Sequence, residues 1–488
     1  MIVAHERAIL KAHTQLAAMV KLLERAGRDQ WRIDEVEREL FAALLQVGHS
    51  LLSAFVAAAG DGDQGETLPG DGHPVHRSAH KHARRYLSIF GELWIKRYVY
   101  SRRAGQKVEA APLDERLALP AGDFSYVLVD WLQRMCLKDS FAEAVGSLET
   151  LLGLKPSVRS AEHMNQHLAE QAGAFRLSQP PPAPRDEAPL LVVTADGKGV
   201  PMRRPLEQRL RRSPRRAKGE KANQKQMAYV AAVYSIEPFR RTADDVVDEI
   251  LRRQRASDRP LPQHKRVWAE LTPPRESSEE QPCTGKECAF IQAALELAHR
   301  NPDKRKRVVC LLDGEAGLWE MHRQWVPRAV GILDLFHVLE RLWAVAYCFH
   351  PEQSPDAQTF VTRRLRMLLE GKVGYVIGGL KQLVGKHELR GERRRVVQAA
   401  IRYFHNNRAH MRYDEYLAAG YPIGSGVAEG ACRHLVKDRL ERTGMRWTVP
   451  GAQALLHLRA IYLNGDWDDY LAYHIQREQA ALYGQLAA

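Results

Sequence analysis

Past residue 185 the chain breaks into short apolar runs of strand length, and three of them end on an acidic residue. Leu190 to Ala195 leads into Asp196, Arg307 to Leu312 into Asp313, and Ala329 to Leu333 into Asp334. Met227 to Ile236 and Val267 to Leu271 read as further strands, and Glu287 to His299 has helical spacing. Strands alternating with helices define an α/β fold, in which residues just past strand C-termini line the edge where ligands bind. Position therefore matters more than motif, because an isolated Asp-Gly, as at Asp196-Gly197 and Asp313-Gly314, is ordinarily a turn. A third acid, Glu429, sits in Gly424-Ser425-Gly426-Val427-Ala428-Glu429-Gly430. The glycines permit an irregular turn, Ser425 can cap, and Val427 to Glu441 is expected to be one helix with Glu429 in its first turn.

Separated carboxylates suit a hard cation such as magnesium, which prefers oxygen ligands. Only Cys283 and Cys288 of the six cysteines lie close together, so no zinc-ligand pattern forms and the thiols read as reduced, in a cytosolic protein. The 72 Lys plus Arg against 59 Asp plus Glu leave a net charge of +13, which favours a polyanionic partner. Together these features outline a metal-dependent enzyme acting on nucleic acid. No Gly-x-x-x-x-Gly-Lys-Ser/Thr loop is present, so no nucleotide cofactor is expected.

Before the strands the pattern is mainly helical. Residues up to Ala59 read as two helices, and the uncharged run Phe41 to Ala59 as a buried helix rather than a membrane span. Arg85 to Tyr100, rich in β-branched and aromatic residues around Gly91, suggests a hairpin whose arginines either touch phosphates or are solvated. Ser140 to Leu152 and Arg159 to Ala169 are spaced as a helix-turn-helix within residues 140–169, with Ser157 or Ser160 as cap and Arg159, His163, Asn165 and Gln166 offered to a major groove. An ordinary helical hairpin has the same spacing. The expected organisation is a DNA-binding region over 1–177, a proline-rich linker over 178–189, a first core segment over 190–337, a basic helical insertion over 338–420, core completion over 421–460 and a C-terminal helix over 461–488.

Four stretches carry a family resemblance: Ala195-Asp196-Gly197-Lys198-Gly199; Asp313-Gly314-Glu315-Ala316-Gly317-Leu318-Trp319; Ile332 to Val338; and Tyr421 to Gly430 running on to Arg439-Leu440-Glu441-Arg442-Thr443-Gly444-Met445-Arg446-Trp447. In these the chain resembles bacterial insertion-sequence transposases of the DDE type, most closely the ISKra type and more distantly the Mutator-like group. Weaker similarity extends back through Pro112 to Leu117 to the hairpin. The resemblance implies a ribonuclease H-like core, with Asp196 on the central strand, a second acid at the end of the fourth and Glu429 on a later helix. It also implies two magnesium ions, for which manganese can substitute, as well as an oligomer on DNA, terminal inverted repeats and target DNA as partners, and strand cleavage followed by attack of a 3′ hydroxyl. The location expected is the cytoplasm, at the nucleoid.

In that arrangement Asp196 bridges the metals while Asp313 and Glu429 complete one each. Asp313 is favoured as the second acid because Asp-Gly-x-x-Gly-Leu-Trp matches the Mutator-like setting; Asp334, in Asp334-Leu335-Phe336-His337, is the alternative. His337 is either a catalytic group that positions phosphate or water through a near-neutral pKa, or a hydrogen-bonded residue fixing the strand end. Arg203, Arg204, Arg211, Arg212, Arg215 and Arg216 belong to a run suited to a DNA backbone, whose plainer reading is solvated charge. Lys437, Arg439, Arg442 and Arg446 are placed to hold DNA beside Glu429, and Trp447 is either a stacking surface for an unpaired base or a core residue.

Overall fold

The computed structural model describes residues 2–70, 72–203, 225–251, 259–273, 283–424, 426–442 and 444–484. The chain forms two compact units, one of Met1–Gln171 with Trp467–Ala488 and one of Ala172–Asp466.

In the first unit α1 (Ile2–Arg28) and α2 (Ile33–Ala58) run side by side in opposite directions, as the hydrogen bonds from His5 to the Ala54 carbonyl (3.0 Å) and from Ser50 to Gln15 (2.8 Å) require. The expectation of a buried second helix is overturned. Only Ser50 and Ala54 of α2 are buried, while Ile33, Phe41, Leu44, Leu51 and Phe55 are exposed, because α1 covers one stripe of a helix that is apolar on several faces from Leu40 onward. By length and composition, though not by any membrane present, α2 is long and apolar enough to cross a bilayer.

Strands β1 (Thr67–Pro69), β2 (Pro74–Arg77) and β5 (Tyr100–Ser101) make one small sheet, and β3 (His82–Ser88) with β4 (Gly91–Arg97) the expected hairpin, turning at Ile89-Phe90 before Gly91 at φ +116°. Its arginines are engaged within the unit. Arg84 and Arg97 both bind the buried Asp114 of α3 (Pro112–Arg116), at 2.7 and 2.6 Å, and Arg85 pairs with Glu92 at 2.7 Å.

Helices α4 (Tyr126–Lys138), α5 (Phe141–Leu152) and α6 (Val158–Ala169) follow, each opened by a serine whose hydroxyl accepts a backbone N–H: Ser125, Ser140 and Ser157. Gly153, at φ +69°, ends α5 in the left-handed conformation that glycine adopts without cost. The C-terminal helix Trp467–Tyr483 belongs with this unit. Its Tyr470 hydroxyl bonds the Leu168 carbonyl, Gln479 the Ala118 carbonyl (3.0 Å) and Tyr483 the Leu119 carbonyl (2.9 Å).

The second unit begins at α7 (Ala172–Ser178), eight residues before the proline run Pro180-Pro181-Pro182 that the sequence suggests as the boundary. Phe175 is buried, and Glu187 beyond the prolines is ion-paired with Arg300 and Lys306, so the proline-rich stretch is tied into this unit. The unit is α/β. Strands β6 (Leu190–Pro201), β7 (Lys225–Ile236), β8 (Gln263–Leu271), β9 (Arg307–Leu312) and β10 (Val330–Leu333) form one mixed sheet in the order β10-β9-β6-β7-β8. β6, β7 and β8 pair antiparallel, whereas β9 runs parallel to β6 and β10 parallel to β9.

Helices α8 (Ala243–Ile250), α9 (Gly285–Arg300) and α10 (Ala316–Trp325) lie between strands, and Trp268 of β8 donates its indole N–H to Ala289 of α9 at 3.1 Å. After β10, helices α11 (Leu335–Ala346), α12 (Pro355–Leu369), α13 (Val373–Lys386) and α14 (Gly391–Asn406) pack together, and α15 (Tyr413–Ala418) returns to the sheet. There Tyr413 and Tyr416 donate hydroxyls to Leu333 (2.8 Å) and Gly331 (3.2 Å) of β10.

Candidate active site

The two parallel ladders of the sheet close level with one another. The β6 to β9 ladder closes at Ala195 opposite Leu312, and the β9 to β10 ladder at Leu312 opposite Leu333, so the next residues are Asp196, Asp313 and Asp334. Parallel strands in register present equivalent positions at equal height, which sets the aspartates along one sheet edge in the order Asp334, Asp313, Asp196. The sequence ends β6 at Asp196, but the strand continues to Pro201 because β7 pairs along its whole length, with Asp196 opposite Val230. The Asp196 carboxylate accepts the Gly197 N–H at 2.6 Å.

Asp313 begins a tight turn. Its carboxylate accepts the Glu315 N–H at 2.8 Å, and its carbonyl accepts the Tyr403 hydroxyl at 2.6 Å. Gly314 takes φ +92°, and a Cβ there would meet Leu333 and the Tyr403 ring at 2.9 Å, so glycine is required twice over. Asp334 is engaged differently. Fully buried, it caps α11 by accepting the Phe336 N–H at 2.8 Å, and its other oxygen lies 3.8 Å from His337 Nδ1. The partly exposed Asp313 is the better placed of the two to meet a ligand.

Glu429 arrives from α16 (Gly426–Ala431), which follows a segment docked on the start of α11 through the Leu335 N–H to Ile423 carbonyl bond at 2.8 Å. The helix is not continuous α. A π-helical turn, Cys432–Lys437, separates it from α17 (Asp438–Leu440) and packs on β6. This turn brings the buried Cys432 thiol against Asp196. Burial first, then the Asp196 charge and a hydrogen bond with it, pushes that thiol well above its ordinary range.

The acids sense one another. Burial raises the Asp313 carboxyl against the opposing Glu315 N–H bond, and the Asp196 charge raises it further. Glu429 is raised by burial, then by Asp334, Glu340 and Asp196. His337 is pushed up to about 9, chiefly by Asp334 and secondarily by Asp313 and Glu340, against a desolvation that lowers it. The near-neutral pKa expected of His337 is therefore overturned. With no metal beside these carboxylates, their charge favours the imidazolium at neutral pH. Hard oxygen donors raised first by burial and then by neighbouring negative charge fit a divalent cation, which offsets both. Their oxygens do not all approach within 4.8 Å; among the described residues the group that does is His167, His474 and Glu478, in the first unit.

The residues expected to touch DNA separate into three sets. Arg203, Lys437 and Arg446 are exposed and Arg442 is half-buried, with its Nε–H on the Asp438 carbonyl at 3.2 Å. Arg159, His163 and Gln166 are exposed on α6, whereas Asn165 is buried, donating to Gln133 at 2.9 Å, and is corrected to a core residue. Arg439 is corrected likewise. It is fully buried with its guanidinium 5.1 Å over the Trp447 ring. Trp447 is also buried, not a stacking surface. Its indole donates to Leu440 at 3.0 Å, and its backbone exchanges hydrogen bonds with Pro201 and Arg203, locking the end of β6. Arg204, Arg211, Arg212, Arg215, Arg216 and the capping residue Ser425 lie outside the described residues.

Sequence reasoning missed Cys432, Glu340, Tyr403 and the Lys225 to Glu441 pair (2.5 Å), which ties β7 to the segment after Leu440. A tyrosine one helix away leaves no local signal, although a cysteine three residues past the acid was within reach. Compared with protein-family models and with curated proteins, the chain matches none.

Proposed function

We propose that the chain is a DDE-type DNA transposase that binds the ends of an insertion sequence and cleaves and joins DNA strands at the Asp196, Asp313 and Glu429 site. One observation carries this reading: two acids sit level on neighbouring parallel strands, Asp196 within the central β6 just past its ladder with β9 and Asp313 just past the end of β9, and a third, Glu429 from a later helix, lies within electrostatic reach of Asp196. The strand order, an antiparallel β6-β7-β8 run with β9 and β10 added in parallel on the other side of β6, supports a ribonuclease H-like core.

Magnesium, or manganese in its place, would be held by Asp196, Asp313 and Glu429, where it would polarise the phosphodiester and activate the attacking oxygen. The chain's own groups do the rest. Asp334 and Asp313 keep His337 charged, giving a fixed cation that orients a phosphate oxygen, while the Tyr403 clamp holds the Asp313 turn still. Exposed Arg203, Lys437 and Arg446 supply backbone contacts, and Arg159 and His163 of α6 present polar groups in the first unit. The exposed apolar stripe of α1 and α2, including Leu16, Val20, Phe41 and Leu44, supports assembly into an oligomer.

The test is incubation of the purified chain with DNA bearing the element's ends. Asp196→Ala and Glu429→Ala should abolish cutting while leaving end binding within a few-fold. Hydrolysis without joined products would favour a structure-selective nuclease, and binding without cutting by the unaltered chain a regulator.

A further inference from the structure

The first unit holds a cluster that strand cleavage does not use. His474 and Glu478 lie one turn apart on the helix Trp467–Tyr483, His167 comes from the last turn of α6, and one ligand atom from each lies within 4.8 Å of the other two. The two imidazoles meet edge to face with centroids 5.4 Å apart, and His167 Nε2 is 3.1 Å from Glu478 Oε1. His474 is only 6% exposed, yet its Nδ1 has no hydrogen-bond partner. A ring nitrogen stripped of water and given nothing in exchange costs stability unless a ligand takes it.

The surroundings are built like a ligand shell. The second oxygen of Glu478 accepts the Tyr126 hydroxyl, which itself accepts from Gln479 Nε2 at 2.6 Å, so the carboxylate is aimed from behind. Glu170 Oε2 lies 3.3 Å from His167 Nδ1, in line with the carboxylate-to-histidine support that metal-binding imidazoles use. The C-terminus of α6 adds the negative end of a helix dipole.

We propose that His167, His474 and Glu478 bind one zinc ion, which fastens the C-terminal helix to α6. Two imidazoles and one carboxylate form a borderline set that suits zinc and not magnesium, and three protein ligands leave a fourth position for water. The i, i+4 spacing of His474 and Glu478 puts both on one helix face. Binding exchanges the His167 to Glu478 hydrogen bond for two metal bonds and adds a third from His474. The ion's part is to hold the two helices together, independently of cleavage, with the fourth position left to water.

The experiment uses the full chain without an affinity tag, stripped by chelator and held in excess magnesium to occupy the carboxylate site of the second unit. Zinc chloride is added, and bound metal and the melting temperature are both measured. The expected result is one zinc per chain with a rise in melting temperature. His167→Gln, whose side chain is 53% exposed and so replaceable without collapse, loses both effects. Tyr126→Phe keeps the stoichiometry but binds about tenfold more weakly. An unaltered chain that takes up no zinc, or a His167→Gln chain that retains it fully, overturns the proposal.

Discussion

His337 carries a charge at neutral pH because Asp334 sits behind it, and that charge gives the chain a pH signature. Its folded pKa of about 9 lies above the ordinary 6.5, so its stabilising contribution is complete below the lower value and is lost as pH rises through the higher one. A shift of that size caps the contribution at roughly 3 kcal/mol, and the 28% exposure of the side chain lowers it to about 1–2 kcal/mol. Denaturant midpoints of the unaltered chain and His337→Gln should therefore differ at about pH 6 and converge near pH 10; a gap independent of pH would show that the imidazolium contributes nothing. Asp334→Asn removes both the charge that holds this proton and the α11 cap, with an expected loss of about 1–3 kcal/mol on chemical denaturation. The raised Asp313 and Glu429 carboxyls act at the other end of the scale. If they hold magnesium as proposed, they must be ionised, so magnesium affinity should fall at a higher pH than ordinary carboxylates would give as the solution is acidified.

At the scale of the element, the Asp313 turn is where sequence and structure are bound most tightly. Gly314→Ala forces a Cβ into φ +92° and against Leu333 and Tyr403, which should cost about 1–3 kcal/mol in thermal unfolding and weaken cleavage by displacing Asp313. Wild-type stability in that variant would contradict the clamp. The five strands were legible because each is an apolar, β-branched run bounded by turn residues, and Ser157 and Gly153 announced the ends of their helices. What was not legible came from distant partners. β6 extends through Gly197 and Gly199 only because β7 pairs with it, and a π turn differs from α by a hydrogen-bond shift that side chains do not encode. Arg439 and Trp447 look like DNA-contacting residues in sequence, yet they stack on each other in the interior beside the end of β6. Of the candidate site, Asp313 could be read from its strand end, Asp196 from its apolar run and Glu429 from its glycine-flanked helix start, whereas Tyr403, Glu340 and Cys432 reach it only through tertiary packing.

At the scale of the molecule, the chain's two ends share one unit, which changes how it can be dissected. A fragment of residues 1–171 lacks Tyr470, Gln479 and Tyr483, whose hydrogen bonds reach Leu168, Ala118 and Leu119, and should melt less cooperatively than the same fragment with residues 467–484 joined to it. Equal melting would remove the C-terminal helix from that unit. The proposed DNA binding should depend steeply on salt: with roughly six phosphate contacts, affinity falls about a thousandfold between 50 and 200 mM salt. The most direct test of the whole account is cleavage of a plasmid carrying the element's ends in magnesium or manganese, comparing the unaltered chain with Asp313→Asn and Asp334→Asn and following DNA binding in parallel. The account predicts cutting by the unaltered chain, none by Asp313→Asn with binding preserved, and residual cutting by Asp334→Asn below its melting temperature. Normal cutting by Asp313→Asn would contradict it.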